Sequence, residues 1–333
     1  MVKATIKMNK IKKTSLLSAT FWKAYWLTMR PYLIFISGSA GMVGMAFIEN
    51  PLPIRVWMAF FPFLLSYGFG QALTDCFQMD TDRISSAYRP LIKGIISKQQ
   101  VLGVSLAGLV SGIVILAYLN PCILLLGFLA VVGLISYTPL KKKWWGGPPW
   151  NSWIVALLPV MGRLVEREFA LRHIFGFRSS SNSFFFAVGA VFFAYMNFVV
   201  MGYLKDVSAD RGTGYRTFPV VFGWIPTAVY SDLAALLAAS FTAMTILSIR
   251  NPQVVGFFIF AAAVLVNIWA QIRIHQIRDE AQAHGPIVDV VRAFILYSSA
   301  IILALKGQWL VFGFLFYSAF ELAVKFRPEK TQV

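Results

Sequence analysis

Two segments of the sequence bring several aspartates close to several basic residues, at positions 74–93 and 203–217. Their acids are Asp75, Asp80, Asp82, Asp206 and Asp210. Asp206 and Asp210 are four residues apart, so both carboxylates project from one face if a helix continues through them. Two like charges that close repel each other, and a cation between them would remove the repulsion.

The residue types in these segments are suited to a metal and an anion. Mg²⁺ is held by one or two carboxylates, while phosphate oxygens and water complete its octahedron. Lys and Arg are suited to phosphate because they form charge-assisted hydrogen bonds to it. The bases concerned are Lys93, Lys205, Arg211 and Arg216. Acids that hold a metal beside bases that hold an anion predict a diphosphate site.

A simpler alternative is that each segment is a solvated cap whose acids balance the neighbouring Lys and Arg. For one such segment alone this alternative would be preferred. Two segments of the same kind, each directly after an apolar run, instead favour converging carboxylates, which a two-metal clamp requires.

The elements that must position these segments are long and apolar. Of the 333 residues, 58% are hydrophobic and 13% are charged, whereas a soluble domain is roughly a quarter charged. Runs close to the ~20 apolar residues of a membrane helix contradict the shorter alternating segments of a β-barrel. We therefore predict an all-α, polytopic membrane bundle of nine or ten transmembrane helices. The predicted spans are 31–49, 56–76, 100–118, 121–138, 151–165, 184–203, 226–247, 254–273, 288–305 and 308–324.

The distribution of the basic residues predicts how the bundle is oriented. If the N-terminus is cytoplasmic, 23 of the 30 Lys and Arg residues fall on the inner side, as the positive-inside rule predicts. The net charge of +16 therefore needs no nucleic-acid partner, and we expect both acidic segments on the cytoplasmic side. Residues 1–30 are predicted to be a basic amphipathic segment suited to membrane lipids. Residues 31–325 form the predicted transmembrane domain, and residues 326–333 a basic tail.

The acidic segments resemble the motifs of the UbiA superfamily of intramembrane prenyltransferases. The first motif of that family is N-D-x-x-D-x-x-x-D and the second is D-x-x-x-D. Asp206 and Asp210 fit the second motif, and Asp75 and Asp82 fit the first. The Y-R-P-L at residues 88–91 falls at the distance seen in the chlorophyll-synthase-like branch. A tenth span would be one more than is usual in the family.

Two departures from the first motif change its charge. Thr74 occupies the position of the family's Asn, and Gln78 occupies a position that is normally Asp. Both are metal-ligand positions in the family, and Thr and Gln still offer oxygen. Because Asp75, Asp80 and Asp82 must then supply the negative charge, we expect a metal site that is weaker, differently arranged or reduced in ion number.

The resemblance implies a helical bundle around a central cavity, capped by the acidic segments and open to lipid for an isoprenoid tail. The catalytic residues that it implies are Asp75, Asp82, Asp206 and Asp210. The implied Mg²⁺ ligands are Thr74, Asp75, Gln78, Asp80, Asp82, Asp206 and Asp210. The implied substrate-binding residues are Arg89, Lys93, Tyr203, Lys205, Arg211, Arg216 and Asn197. For Asn197, which lies inside a span, an interhelical hydrogen bond is an alternative role.

The expected reaction is a metal-assisted ionisation of an allylic isoprenoid diphosphate. In the leading interpretation, an aromatic or other lipophilic acceptor captures the prenyl cation. In the second, the double bonds of the prenyl chain attack it, as in a UbiA-type terpene cyclase. The first span offers Ser37 and Ser39 but neither Asn nor a basic residue to orient a polar acceptor, which favours cyclisation or an apolar acceptor. A transporter or lipid scaffold is a third class, disfavoured because the acids cluster at one face of the membrane.

Overall fold

The chain is described by a computed structural model that covers residues 14–166 and 181–327, in which it forms helices and no β-strand. The α-helices are α1 (Ala19–Thr28), α2 (Ile34–Ala46), α3 (Pro53–Asp75), α4 (Met79–Ser85), α5 (Lys98–Leu119), α6 (Ile123–Lys141), α7 (Gly147–Arg163), α8 (Ser181–Gly202), α9 (Val207–Gly212), α10 (Phe218–Phe222), α11 (Trp224–Leu247), α12 (Val254–Gln276), α13 (His284–Leu305) and α14 (Leu310–Lys325). Short 3₁₀ helices occupy Pro31–Leu33, Tyr203–Lys205, Glu280–Gln282 and Gly307–Trp309. The predicted all-α class is confirmed.

Eight stretches of the described chain are long and apolar enough to cross a membrane. They are Pro53–Asp75, Lys98–Leu119, Ile123–Lys141, Asn182–Lys205, Trp224–Leu247, Val254–Gln276, Glu280–Leu305 and Gly307–Lys325. The remaining predicted spans, 31–49 and 151–165, fall on the shorter apolar helix Pro31–Ala46 and on α7. The prediction of a multi-pass bundle with nine or ten spans is thereby confirmed.

These ten helices run alternately between two ends of the bundle. At one end, the start of α2 meets the end of α3 through an ion pair between Arg30 and Asp75. At the opposite end, Lys306, directly after α13, donates a hydrogen bond to the carbonyl oxygen of Glu49. We call the end that holds Asp75 the motif end. Because α3 and α8 both finish there, the two acidic segments meet.

Glycines allow α2 and α7 to pack against each other at backbone distance. An added Cβ at Gly44 would lie 1.9 Å from the carbonyl oxygen of Pro159, and one at Gly162 would lie 2.2 Å from that of Gly41. Small residues at helix interfaces are a common means of close packing in membranes. Helix α13 is buried along most of its length and packs against α2, α8 and α12.

Helix α1 packs against the bundle near the motif end. It begins at the cap Ser18, whose side chain accepts a hydrogen bond from the backbone N–H of Phe21. The hydroxyl of Tyr25 shares a 2.8 Å hydrogen bond with Ser105, while the side chain of Trp22 is exposed. Residues 1–13 and 328–333 lie outside the described part of the chain, so the division into three regions stays a prediction.

Helix α14 is joined to the bundle by an ion pair and by aromatic contacts with α2 and α3. Arg292 of α13 donates two hydrogen bonds to the carboxylate of Glu321, at 2.8 and 2.9 Å. The ring centroid of Phe316 lies 5.0 Å from that of Phe35 in α2. The last helix is therefore anchored near the motif end by an ion pair, while most of its surface faces outward.

Candidate active site

A cavity of about 180 Å³ lies inside the bundle at the motif end. Its charged lining consists of Arg30, Asp75, Asp82, Arg89, Lys141, Lys205 and Asp206. Its apolar lining includes Leu109, Ala130, Leu134, Ile154, Leu158 and Phe198. One continuous space thus combines ionic groups from both acidic segments with an apolar wall, as the resemblance implied.

Asp75, the last residue of α3, is held by basic side chains on two sides. The guanidinium of Arg30 lies 3.0 Å from its Oδ1, and that of Arg89 lies 3.5 Å from the same atom. The side chain of Gln71, one turn earlier, donates to it at 2.8 Å. Arg30 reaches Asp75 from a left-handed backbone conformation, with φ at 53°, which is uncommon outside glycine. The carboxylate of Asp75 is therefore held by one partner from its own helix and two from other segments of the chain.

Asp82 lies on α4 and faces the same cavity, where it forms an ion pair with Arg89. Burial raises the pKa of the Asp82 carboxyl, and the Arg89 guanidinium opposes that effect. Burial would lower the pKa of Arg89, but Asp75 and Asp82 outweigh it and raise that pKa. Arg89 therefore keeps its positive charge. Its Nε is buried and finds no hydrogen-bond partner within the described ranges.

Asp206 directly follows the 3₁₀ turn that ends at Lys205, and it lines the cavity. The Lys205 ammonium lies 2.8 Å from its Oδ2. Burial acts to raise the pKa of Asp206, but Lys205 and Lys141 together outweigh it and hold the pKa below its ordinary value. Asp206 is therefore a carboxylate at neutral pH.

Asp210 is fully buried behind the cavity wall and does not line the cavity. Its Oδ2 accepts a hydrogen bond from Thr217 at 3.1 Å, and its Oδ1 lies 3.5 Å from the ammonium of Lys141. Lys141, the last residue of α6, also donates to Oε1 of Gln78 at 3.1 Å. It lies between the two segments and contacts both.

Tyrosines form part of the cavity wall, in addition to the charged groups. The hydroxyls of Tyr137 and Tyr203 share a hydrogen bond of 3.0 Å. Tyr203 also lies against α7, where an added Cβ at Gly147 would approach its hydroxyl to 2.0 Å. The absence of a side chain at position 147 therefore makes room for that tyrosine.

The structure brings together most, but not all, of the residues singled out by the sequence. Those that line the cavity are Thr74, Asp75, Gln78, Asp82, Arg89, Tyr203, Lys205 and Asp206. Those that do not line it are Asp80, Lys93, Asn197, Asp210, Arg211 and Arg216. The positions of these six residues explain why they do not line the cavity.

Asp80 is exposed and accepts a hydrogen bond from Tyr215 at 3.3 Å, because α4 turns Asp82 and not Asp80 toward the cavity. Lys93, Arg211 and Arg216 are also exposed. All four side chains lie on loops or short helices around the motif end. Their assignment to metal or phosphate therefore has no geometric support here.

Asn197 forms hydrogen bonds between helices, the alternative considered for it. Its Nδ2 donates to Asn267 of α12 at 3.1 Å, and its Oδ1 accepts from Ser231 of α11 at 2.5 Å. Gln271 and Tyr297 extend the same buried network. The structure thus gives Asn197 a role in helix packing and no contact with the cavity.

Two basic residues of the cavity were not assigned to it from the sequence. Arg30 and Lys141 belong to the basic residues that flank the predicted spans 31–49 and 121–138. Each stands next to an apolar span, as Lys205 does, and that position is the one signal that could have identified them.

The donor chemistry of the cavity fits Mg²⁺. Its candidate ligands are the carboxylates of Asp75, Asp82 and Asp206 with the oxygens of Thr74 and Gln78, and Mg²⁺ prefers oxygen ligands. Among the described residues no group of three or more acidic, His or Cys side chains is close enough to hold a metal. The carboxylates are instead paired with bases, so a metal would have to share them with those bases.

Comparison with known proteins places the fold. A family model described as "UbiA prenyltransferase family" matches residues 19–286. The digeranylgeranylglyceryl phosphate synthase of Thermococcus kodakarensis is 24% identical over 293 residues, which cover 85% of this chain and 95% of that protein. The apo structure of a UbiA homolog from Aeropyrum pernix K1 superposes with a TM-score of 0.69 at 18% sequence identity. The match covers 81% of this chain and 96% of that homolog's chain.

A second match is the structure of a UbiA homolog from Archaeoglobus fulgidus bound to GPP and Mg²⁺, with a TM-score of 0.60 at 16% sequence identity. It covers 84% of this chain and 99% of that homolog's chain. The fold is therefore shared with both solved proteins. The family match spans most of the chain, and it confirms both the predicted resemblance and the prediction of an enzyme of the UbiA type. The transporter alternative is left without support. The chain belongs to the UbiA prenyltransferase family.

Proposed function

We propose that this chain cleaves an allylic isoprenoid diphosphate in a Mg²⁺-dependent step and transfers the prenyl group to an aromatic or other lipophilic acceptor. The observation that carries the proposal is the change in chemistry along one cavity, from paired charges at the motif end to an apolar wall. An isoprenoid diphosphate has the same two parts, an anionic head and an apolar tail.

Four bases line the cavity and can neutralise the anionic head: Arg30, Arg89, Lys141 and Lys205. Arg89 offers its buried Nε, for which the described residues supply no acceptor. A buried donor without a partner is costly, so a phosphate oxygen bound there would form a strong charge-assisted hydrogen bond. The aspartates beside these bases hold them in place.

Asp75, Asp82 and Asp206 are the residues that would hold Mg²⁺, with Thr74 and Gln78 as further oxygen donors. A bound Mg²⁺ neutralises charge that grows on the leaving diphosphate. Arg89, Lys141 and Lys205 would stabilise the same charge, because they lie in a site partly excluded from water.

In the proposed reaction, the bond between C1 of the prenyl group and the diphosphate oxygen breaks, and its electron pair leaves with the diphosphate. A nucleophilic atom of the acceptor forms a bond to C1 and releases a proton to water. The aromatic rings of Tyr67, Tyr195 and Phe198 line the cavity. Such rings can stabilise positive charge on an allylic carbon.

The names of the similar proteins support this proposal. The Archaeoglobus fulgidus homolog was solved with GPP and Mg²⁺ bound, and the Thermococcus kodakarensis relative is a digeranylgeranylglyceryl phosphate synthase. We carry over the class of substrate and the metal, and neither the chain length nor the acceptor. We also propose that the motif end faces the cytoplasm, as the excess of basic residues around it predicts.

The experiment uses the full-length chain purified in detergent and supplied with Mg²⁺ and geranyl, farnesyl or geranylgeranyl diphosphate. Released diphosphate is measured, and extracted products are identified by mass spectrometry, with and without a lipophilic acceptor. We expect diphosphate release that depends on Mg²⁺ and prenylated product that depends on the acceptor. A cyclic hydrocarbon formed without acceptor would instead identify a terpene cyclase.

Two variants test the site itself. Asp75→Asn and Asp206→Asn keep the size of the side chain and remove its charge, and each should lower turnover by about 100-fold or more. The matched control is Asp232→Asn, a half-exposed aspartate that pairs with His275 away from the cavity. Full turnover in both cavity variants would rule out the proposed metal and diphosphate site.

A further inference from the structure

Three polar side chains from three different helices meet inside the cavity. The Nδ2 of Asn151 in α7 donates to the hydroxyl of Tyr195 in α8 at 3.5 Å. The hydroxyl of Tyr195 donates in turn to that of Tyr67 in α3 at 3.4 Å. All three residues line the cavity, and we call them the Tyr–Asn cluster.

The Tyr–Asn cluster lies deeper in the bundle than the aspartates. Tyr67 precedes Asp75 by eight residues on α3, which corresponds to about 12 Å along a helix axis. Asn151 and Tyr195 lie within the apolar parts of α7 and α8. A ligand at the cluster would therefore lie on the membrane side of a diphosphate bound at the motif end.

The cluster has unused hydrogen-bonding capacity at both of its ends. Within the described ranges, no side chain accepts the hydroxyl proton of Tyr67 and none donates to Oδ1 of Asn151. A free donor at one end and a free acceptor at the other suit a ligand that carries both, as a hydroxyl group does. Polar groups inside a membrane are costly when unpaired, so a ligand that pairs them gains affinity.

The cluster carries no charge, and several of the charged residues of the cavity already have partners. Arg30 is paired with Asp75, and Lys205 is paired with the neighbouring Asp206. An acceptor with a carboxylate would bring a buried charge to the cluster without an opposite charge there, which is unfavourable. An uncharged hydroxyl has no such cost.

We propose that Tyr67, Asn151 and Tyr195 bind the acceptor and that the acceptor presents an uncharged hydroxyl group to them. The inference rests on the proposed function and names the chemical class of its second substrate. The sequence pattern does not point to these three residues, since the polar side chains offered by the first predicted span are Ser37 and Ser39. Ser37 uses its hydroxyl on backbone groups, donating to the carbonyls of Ile34 and Leu64.

The test compares two acceptor probes that differ in one group. The full-length chain in detergent, with Mg²⁺ and geranylgeranyl diphosphate, is given either 4-methoxybenzyl alcohol, which carries one uncharged hydroxyl, or 4-methoxybenzoate, which carries a carboxylate in its place and no hydroxyl. We expect kcat/KM for the alcohol to exceed that for the carboxylate by about ten-fold or more, since a site built for one polar group rejects another.

Two variants then locate the effect at the cluster. Tyr67→Phe removes the free donor and Asn151→Leu removes the free acceptor. Each should raise the KM for the alcohol by about five- to ten-fold, as the loss of one hydrogen bond would, and change the KM for the diphosphate by less than about two-fold. The matched control is Tyr297→Phe, which removes a buried hydroxyl that accepts from Asn267 outside the cavity.

The control variant should leave both KM values unchanged. Equal or faster turnover of 4-methoxybenzoate would overturn the inference, and so would an unchanged KM for the alcohol in both cluster variants. Diphosphate release that leaves both probes unmodified would also overturn it, while the proposed cleavage of the diphosphate would stand. If no diphosphate were released under any condition, the proposed function itself would fall.

Discussion

The ammonium of Lys141 lies 3.5 Å from Oδ1 of Asp210, and both side chains are buried. The same ammonium donates to Gln78 at 3.1 Å. One base at the end of α6 therefore connects the first acidic segment to the second. Because Asp210 does not line the cavity, we expect it to act on the cavity through Lys141, as a positioning residue.

Removal of Lys141 is expected to affect both stability and activity. Lys141→Met leaves Asp210 buried without its partner, and breaking a buried pair from one side costs about 3–5 kcal/mol. We expect a lower melting temperature and a fall in kcat/KM of about 100-fold. The double variant Lys141→Met/Asp210→Asn removes both charges and should recover much of the stability but none of the activity.

The control for this pair is Lys142→Met, a change at the neighbouring exposed lysine, which should alter stability by less than about 0.5 kcal/mol. Thermal unfolding in detergent and steady-state kinetics measure the two effects. A double variant that melts no higher than Lys141→Met would contradict the proposed pairing.

Position 78 should control how strongly the site binds its metal. Gln78 offers an amide oxygen where the family motif has a carboxylate, and Gln78→Asp adds a negative charge to the cavity. We expect the Mg²⁺ concentration for half-maximal turnover to fall by about three- to ten-fold, because ligand charge raises the affinity for hard cations. The control is Gln308→Asp, at an exposed position at the opposite end of the bundle, which should leave this Mg²⁺ concentration unchanged. The same Mg²⁺ concentration for half-maximal turnover in the unchanged chain and in both variants would argue against position 78 as a ligand.

Chelation should stop turnover without unfolding the protein. In the structure Asp75, Asp82 and Asp206 are each paired with a basic side chain, so they do not depend on a metal for charge compensation. We expect EDTA to abolish diphosphate release, excess Mg²⁺ to restore it, and the melting temperature to move by no more than about 2 °C. A large fall in melting temperature on chelation would show that the metal also has a structural role.

Asn197 should matter for stability and not for substrate binding. Asn197→Leu removes hydrogen bonds to Asn267 and Ser231, and such bonds between membrane helices contribute about 0.6–1.7 kcal/mol. We expect a lower melting temperature with the KM for the diphosphate unchanged within about two-fold. A higher KM for the diphosphate without any loss of stability would instead support Asn197 as a substrate-binding residue.

The aspartates of the cavity could be located from the sequence because they follow directly on apolar spans. The end of a span is a local property, and Asp75 and Asp206 stand at such ends. The choice between Asp80 and Asp82 could not be made in the same way. On a helix these positions point about 200° apart, and the spacing of a motif does not say which of them faces inward.

The basic partners were harder to identify, because their contacts are between residues distant in the chain. Arg30 reaches a carboxylate 45 positions away, and Lys141 reaches Gln78 across 63 positions. Such contacts depend on how the helices pack, and a single sequence carries no direct information on that. The exposed bases Lys93, Arg211 and Arg216 were nearer to the motifs in sequence and lie outside the cavity.

The alternation of the helices has a consequence for the topology of the described part of the chain. Within the described residues the end of α14 lies on the side on which α2 begins, since the guanidinium of Arg327 lies 5.9 Å from the ring centroid of Tyr32. A reporter protein fused after α14 should therefore share a compartment with one fused before α1. Either fusion would also mark the compartment from which the diphosphate of the proposed substrate would reach the cavity.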